Sequence, residues 1–220
     1  MLSRFAGVSM ATASYNRIAG QSVERLAALS DGIFAVAMTL LVLDLRLPAA
    51  QAVHSERDLW RGIVTAAPQL LMYLMSFITL GIFWVGQQTQ LNHLSRAHRS
   101  LAWIHLLFLF FVTLMPFSTK LLAEFITYRL ALLVYWLNIL LLGVALYLSW
   151  NCAIRFKLVK ADIAPEISVA IKRRMVIAQA LYAFGALLCI FSTYWSIAFI
   201  VLVQLYYAIA PRFWRRDVRE

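Results

Sequence analysis

Six stretches of about 17–25 predominantly apolar residues recur along this chain, separated by short polar segments. Each is long enough to cross a hydrocarbon core of about 30 Å as a helix. Such a chain has too little polar surface to fold as a soluble domain. Apolar residues make up 63% of its 220 residues and charged residues only 14%, against about 45–50% and about 25% in soluble proteins. The runs are continuously apolar, without the alternation of an outer-membrane barrel. Backbone polar groups in lipid must be satisfied within the chain, which leaves the α-helix. The predicted spans run from Ser22 to Leu47, Gly62 to Gly86, Leu101 to Thr119, Leu130 to Cys152, Met175 to Thr193 and Trp195 to Pro211. The expected fold is therefore an all-α integral membrane protein with six transmembrane helices. Its expected divisions are an N-terminal tail over 1–21, a membrane domain over 22–211 and a basic tail over 212–220. Nearly all of it is span or short loop, so no soluble catalytic domain fits and the chain reads as no enzyme.

The formal net charge of +10 does not point to nucleic acid. The basic residues lie between apolar runs rather than along one helix face among exposed aromatics. One side of the membrane collects Arg4, Arg17 and Arg25, then Arg96 and Arg99, then the connection from Arg155 to Arg174, then Arg212 to Arg219, fifteen Lys and Arg in all. The other side has five: Arg46, Arg57, Arg61, Lys120 and Arg129. The positive-inside rule places both termini in the cytoplasm, as an even number of crossings requires, and the plasma membrane is the expected location. Trp60, Trp136 and Trp195 then fall near the outer interface, and Trp84, Trp103, Trp150 and Trp214 near the inner one. The basic connections are expected to touch anionic lipids at the cytoplasmic face. Within the long connection, Pro165 and Glu166 are placed to open a short helix. The first twenty residues lack the apolar core of a signal peptide. Cys152 and Cys189 sit inside apolar runs and read as small hydrophobes. Neither a disulfide framework nor a metal site is expected.

The most informative segment lies in the first span, from Arg25 through Ser30, Asp31 and Gly32 to Val36, Thr39, Leu40, Leu43 and Asp44. Asp31 stands about two and a half turns inside the span, where an ionised side chain costs about 2.5–3.5 kcal/mol on insertion scales. It needs a partner facing protein or water. Alternatively, Ser30 or Asp31 caps a helix that begins there, although the remainder up to Pro48 would then be only about 24 Å long. Val36, Thr39, Leu40 and Leu43 share a second stripe. Val36 is turned from Asp31 by about 140° at 100° per residue. Such a stripe is either a packing seam or the lining of a pore with apolar rings.

The pattern Arg-x-x-x-x-Ser-Asp-Gly-x-Phe-Ala-x-x-x-Thr-Leu-Leu-x-Leu resembles the first helix of prokaryotic relatives of the lysosomal potassium channel, the transmembrane-protein-175 family. Tyr73, Phe77, Gly81, Phe83 and Trp84 resemble its second helix. Leu101, Trp103, Leu106 to Leu109 and Leu114 to Thr119 resemble its third. The likeness is carried by residues 22–125, and by topology alone beyond them.

The resemblance implies a homotetramer of six-helix subunits with the first helices lining a central pore. Val36 would then be the apolar constriction, Thr39 a hydroxyl ring, and Leu40 and Leu43 the outward lining. Arg25, Ser30 and Asp31, with Trp84 and His105, would form a structural polar network. No catalytic residue, metal ligand or cofactor is implied, and potassium ions are the permeant species, with other monovalent cations as further partners. No Thr-Val-Gly-Tyr-Gly filter stretch occurs in the sequence. The chain departs from the family pattern in carrying Leu29 for Phe, Gln87 and Gln88 for paired histidines, His105 for Asn, and Val36 for Leu or Ile. The implied activity is a potassium-permeable cation channel of modest selectivity. The alternative is a proton-linked transporter using Asp31 and His105.

Overall fold

The computed structural model describes residues 22–43, 45, 53–161 and 165–209. The two expected tails, Asp44, and the C-terminal ends of the first and last predicted spans lie outside the described residues. The helices are α1 (Val23–Leu43), α2 (Glu56–Thr65), α3 (Ala67–Asn92), α4 (Arg99–Thr113), α5 (Met115–Glu124), α6 (Arg129–Arg155), α7 (Pro165–Leu187) and α8 (Thr193–Ile209). A 3₁₀ turn, Leu188–Ile190, closes α7. Five helical stretches are long and apolar enough to cross a membrane, with α4 and α5 counting as one; α8 is a shorter apolar helix of 17 residues.

Helix α1 begins at Val23, with the Ser22 hydroxyl accepting from the Arg25 N–H at 3.2 Å. Ser30 and Asp31 therefore lie in mid-helix, and neither caps a helix starting there. The second predicted span is corrected most. It starts at Ala67 and reaches Asn92, and the residues before it form the separate helix α2. Pro68 lies in the first turn of α3 and has no N–H to continue the α2 ladder, so the helix is interrupted for one residue at Ala66 without losing its phase. The third span carries on to Glu124 after a break at Leu114, just ahead of Pro116. The helix expected to open at Pro165 forms, and it continues without interruption into the fifth span.

Helix α1 packs on α3, α4 and α5, α4 on α6, and α7 between α6 and α8. The core is aromatic where these helices meet. Phe108 lies 6.0 Å from Phe34 and 6.4 Å from Phe83, ring centre to ring centre, joining α1, α3 and α4. A second apolar cluster, around Trp150, Leu101 and Leu158, lies under the segments that connect α3 to α4 and α6 to α7. These segments are tied together by backbone bonds, Ser95 N–H to Leu158 O at 2.9 Å and Lys160 N–H to His93 O at 3.0 Å. Ser22, Ser95 and Lys160 line one cleft, so the start of α1 shares this face. Near the other end of the described chain, Tyr207 lies beneath the Arg174 guanidinium at 5.6 Å, a cation–π contact between α8 and α7. Both cysteines are buried and free.

Candidate pore face and its polar supports

The residues of α1 divide by direction. Ser30, Phe34, Ala37 and Leu41 are buried in the chain; at 100° per residue they fall within about 60° of arc. Val36, Thr39, Leu40 and Leu43 lie on the opposite side. Their exposure is high for apolar side chains, 58% at Val36, 44% at Leu40 and 74% at Leu43. Thr39 is also exposed, and its hydroxyl donates to the Val36 carbonyl at 2.8 Å. That bond turns the hydroxyl hydrogen back to the helix and leaves the oxygen lone pairs facing outward. Beside this face runs an apolar groove of about 400 Å³, lined by Leu29, Gly32, Val36, Leu40 and Thr113 among others. The first helix thus presents the chain with a long apolar face that its own helices leave uncovered.

The expected single polar network is two networks. Ser30 and Asp31 are consecutive, so their side chains diverge by about 100° and meet different faces of α3. Inside the chain, the Gln87 amide donates to Ser30 Oγ at 2.7 Å and lies 3.2 Å from His105 Nε2, and Ser30 Oγ lies 2.7 Å from the same nitrogen. Ser30 also donates to the Leu26 carbonyl at 2.8 Å. All three side chains are buried, Ser30 fully and His105 to 2% exposure. With the Ser30 proton on the Leu26 carbonyl, an imidazole carrying its proton on Nε2 donates to Ser30 Oγ across the 2.7 Å contact. On the neighbouring flank, Asp31 Oδ1 accepts from Trp84 Nε1 at 2.8 Å and from Gln88 Nε2 at 2.7 Å. Asp31 is exposed on the isolated chain. No hydrogen bond among the described residues joins Asp31 to His105 or places the Arg25 side chain in either network.

Gln87 and Gln88 hydrogen-bond to Ser30 and Asp31, and the sequence analysis recorded them only as departures from a family pattern. The available signal was spacing. Trp84 and Gln88 are four residues apart and lie about 40° from each other round α3, while Gln87 diverges from Gln88 by about 100°. A further polar cluster was not expected. The Gln204 amide donates to Thr79 Oγ1 at 2.6 Å, Thr79 and Ser76 each lie 3.3 Å from the Tyr135 hydroxyl, and Thr119 donates to Ser76 at 2.7 Å. It ties α3, α5, α6 and α8 together at the centre of the bundle.

A helical bundle with five stretches long and apolar enough to cross a membrane defines a multi-pass membrane protein. The family described as the endosomal/lysosomal potassium channel TMEM175 matches residues 25–116. A potassium channel of Streptomyces collinus is 36% identical over 102 residues, covering 46% of this chain and 48% of that one, so the match spans about half of that relative's length. A potassium channel of a Chryseobacterium species is 26% identical over 196 residues, covering 89% of this chain and 97% of that protein. The crystal structure of a lysosomal potassium-selective channel TMEM175 homolog from Chamaesiphon minutus superposes with a TM-score of 0.75 at 27% identity, covering 86% of this chain and 97% of that one. The chain is similar to TMEM175 proteins over residues 25–116, and at lower identity over most of its length. These relatives are named as channels and not as enzymes.

Proposed function

We propose that the chain is a potassium-permeable cation channel of modest selectivity. It works as a homotetramer in the plasma membrane, each subunit crossing six times with both termini cytoplasmic. The four α1 helices line the pore. Val36 forms the narrow apolar ring, Thr39 a hydroxyl ring, and Leu40 and Leu43 the wider lining. The observation that carries this reading is the uncovered face of α1. The apolar exposures of α1 at Val36 and Leu43 lie on the same helix as the stripe that the resemblance maps to the pore, which favours copies of the chain over lipid on that side. An apolar ring passes an ion only if the ion keeps most of its hydration or sheds it briefly, because the ring offers no dipoles in exchange. Selectivity by such a ring is therefore modest. The Ser30–Gln87–His105 and Asp31–Trp84–Gln88 sets serve as structural supports that hold the angle of α1, and thus the ring diameter. Arg25 lies outside both sets within one chain. Fifteen basic residues on one side against five on the other support the cytoplasmic termini and contact with anionic lipids there.

Asp31 and His105 in separate networks speak against a shared proton relay, so the channel reading is preferred to a proton-linked transporter. The test is reconstitution of the purified chain into planar bilayers under a potassium gradient, followed by replacement of potassium with sodium on one side. Current that reverses toward the potassium equilibrium potential, with a small further shift in the sodium arm, is expected. Absence of current at matched protein incorporation, or a reversal potential that follows the pH gradient, would overturn the reading.

A further inference from the structure

Helix α2 is the one helix of the described chain with no buried residue, yet it has a strongly one-sided sequence. At 100° per residue from Glu56, Leu59, Trp60, Ile63 and Val64 occupy the arc from about 300° to 80°, interrupted only by Glu56 itself in the first turn, and Arg57, Arg61, Thr65 and Asp58 the arc from about 100° to 200°. Trp60 is 66% exposed and the other three apolar side chains 40–53%. The helix is well made. The Ser55 hydroxyl accepts from the Asp58 N–H and donates to its carboxylate at 2.7 Å.

The phase of α2 continues into the membrane span. Ala66 keeps right-handed helical angles, and helical bonds run through it from Ala66 N–H to Gly62 O and from Leu70 N–H to Ala66 O, both 3.1 Å. On the same count, the exposed Leu70, Leu71, Leu74 and Phe77 of α3 fall between about 300° and 60°, in line with the apolar face of α2. Buried Met72, Met75, Thr79, Leu80 and Phe83 fall between about 100° and 240°, in line with its polar face. The apolar face of α2 thus prolongs the surface of α3 that faces lipid. Helix α3 alone has 26 residues, about 39 Å, which exceeds the hydrocarbon core of about 30 Å. Helix α2 therefore sits at headgroup height. An upright α2 would hold Trp60 and Ile63 against water. Pro68 lies at about 120° on this count, on the protein side. Its ring opens the helix there and favours a tilt toward lipid. That tilt turns the outward face of α2 downward into the bilayer and its Arg57–Arg61 face up to water.

We infer that α2 is an interfacial anchor, lying on the outer leaflet with Leu59, Trp60, Ile63 and Val64 at the boundary between headgroups and acyl chains. The test uses the full-length chain with Cys152→Ala and Cys189→Ala, carrying one nitrobenzoxadiazole-labelled cysteine at a time. The positions are Trp60→Cys and Ile63→Cys on one face, Asp58→Cys and Arg61→Cys on the other. Each purified protein is placed in phosphatidylcholine–phosphatidylglycerol vesicles. Quenching by brominated-chain phosphatidylcholine is expected to be at least threefold stronger at 60 and 63 than at 58 and 61, and quenching by external iodide to show the reverse order. If a variant does not fold, Leu59→Cys or Val64→Cys on the same face replaces it. Equal iodide quenching at all four positions would mean that α2 stands in water. Failure of the brominated lipid to reach 60 and 63, with disulfide crosslinking between copies of Trp60→Cys, would mean that this face covers a second subunit. Either result overturns the proposal.

Discussion

Replacing His105 by alanine tests whether the buried set at Ser30 and Gln87 carries the weight assigned to it. The substitution removes the imidazole Nε2 that donates to Ser30 Oγ at 2.7 Å and lies 3.2 Å from the Gln87 amide, and it empties the space of a ring that is 2% exposed. The two losses differ in size. Interhelical hydrogen bonds in membranes are worth about 0.6 kcal/mol each on average, so the lost bond contributes about that much. Ser30 also keeps the Leu26 carbonyl at 2.8 Å and is not stranded. The cavity term matters more: truncating a large buried side chain to alanine costs about 2–5 kcal/mol in soluble cores. Part of that is transfer from water, which lipid-facing helices do not recover, leaving roughly 1–2 kcal/mol for lost packing. The expected total is about 2–3 kcal/mol, or a drop of about 4–12 °C in Tm at about 2–4 °C per kcal/mol. His105→Asn keeps an amide donor and acceptor in the same place and should lose less than half as much. The assay is thermal unfolding of the detergent-solubilised protein followed by fluorescence-detected size exclusion, repeated on Gln87→Leu and the double variant. A shift under about 1 °C for His105→Ala, or an asparagine variant as unstable as the alanine variant, would refute the reasoning. So would strict additivity in the cycle with Gln87→Leu, because residues in direct contact are expected to couple by at least about 0.5 kcal/mol.

Asp31→Ala strands Trp84 Nε1 and Gln88 Nε2, which lie 2.8 and 2.7 Å from the carboxylate. Native gels and size exclusion should show loss of the assembled oligomer before any change in ion preference, with Asp31→Asn intermediate; a stable oligomer of altered preference would place Asp31 on the ion path. At Gly143, a Cβ would lie 1.9 Å from Gln179 Nε2, so Gly143→Ala must push that amide away and should lower stability by about 1–3 kcal/mol. Adding Gln179→Ala should recover most of the loss, as read by the same melts; a Gly143→Ala protein as stable as the parent would show that α7 gives way freely at this point.

Much of the fold was legible because the bilayer sets lengths and forbids unpaired backbone. Continuous apolar runs had to be helices. Boundaries were less legible where a helix continues beyond the apolar run. Lys120 and Glu124 extend the third span, and Lys172 to Arg174 sit within α7, because a helix end can carry charged side chains into the headgroup region without breaking its backbone ladder. Helix α2 was missed, although Ser55 and Asp58 form a capping pair and Leu59, Trp60, Ile63 and Val64 share one face. Ten residues are too few to register as a span, and the second span was begun inside it at Gly62. At the site, the sequence singled out the stripe from Val36 to Leu43, which is exposed on α1, and the pair Ser30 and Asp31, both of which hydrogen-bond to α3. The separation of that pair into two networks did not follow from the sequence. That depends on which face of α3 meets α1, a relation between residues 57 positions apart on which the local sequence is silent. Arg25 was grouped with Asp31 by proximity in sequence, and the two are turned from each other by about 120° round α1.

Flux through vesicles containing Val36 and Val42 variants tests the central claim most directly. Both valines are exposed on α1, at 58% and 45%, but they differ by about 120° in direction at 100° per residue. Val36 lies on the uncovered face, and Val42 is turned to the flank that carries Asp31. Potassium flux is measured at matched amounts of assembled protein. If Val36 forms the narrow ring, Val36→Asn raises flux and blunts any preference for potassium over sodium, since polar groups keep the neck wet. Val36→Phe then abolishes flux, while Val42→Asn and Val42→Phe change it less than twofold. Equal effects at the two positions, or none at Val36, would contradict the account and reduce this face of α1 to a packing seam.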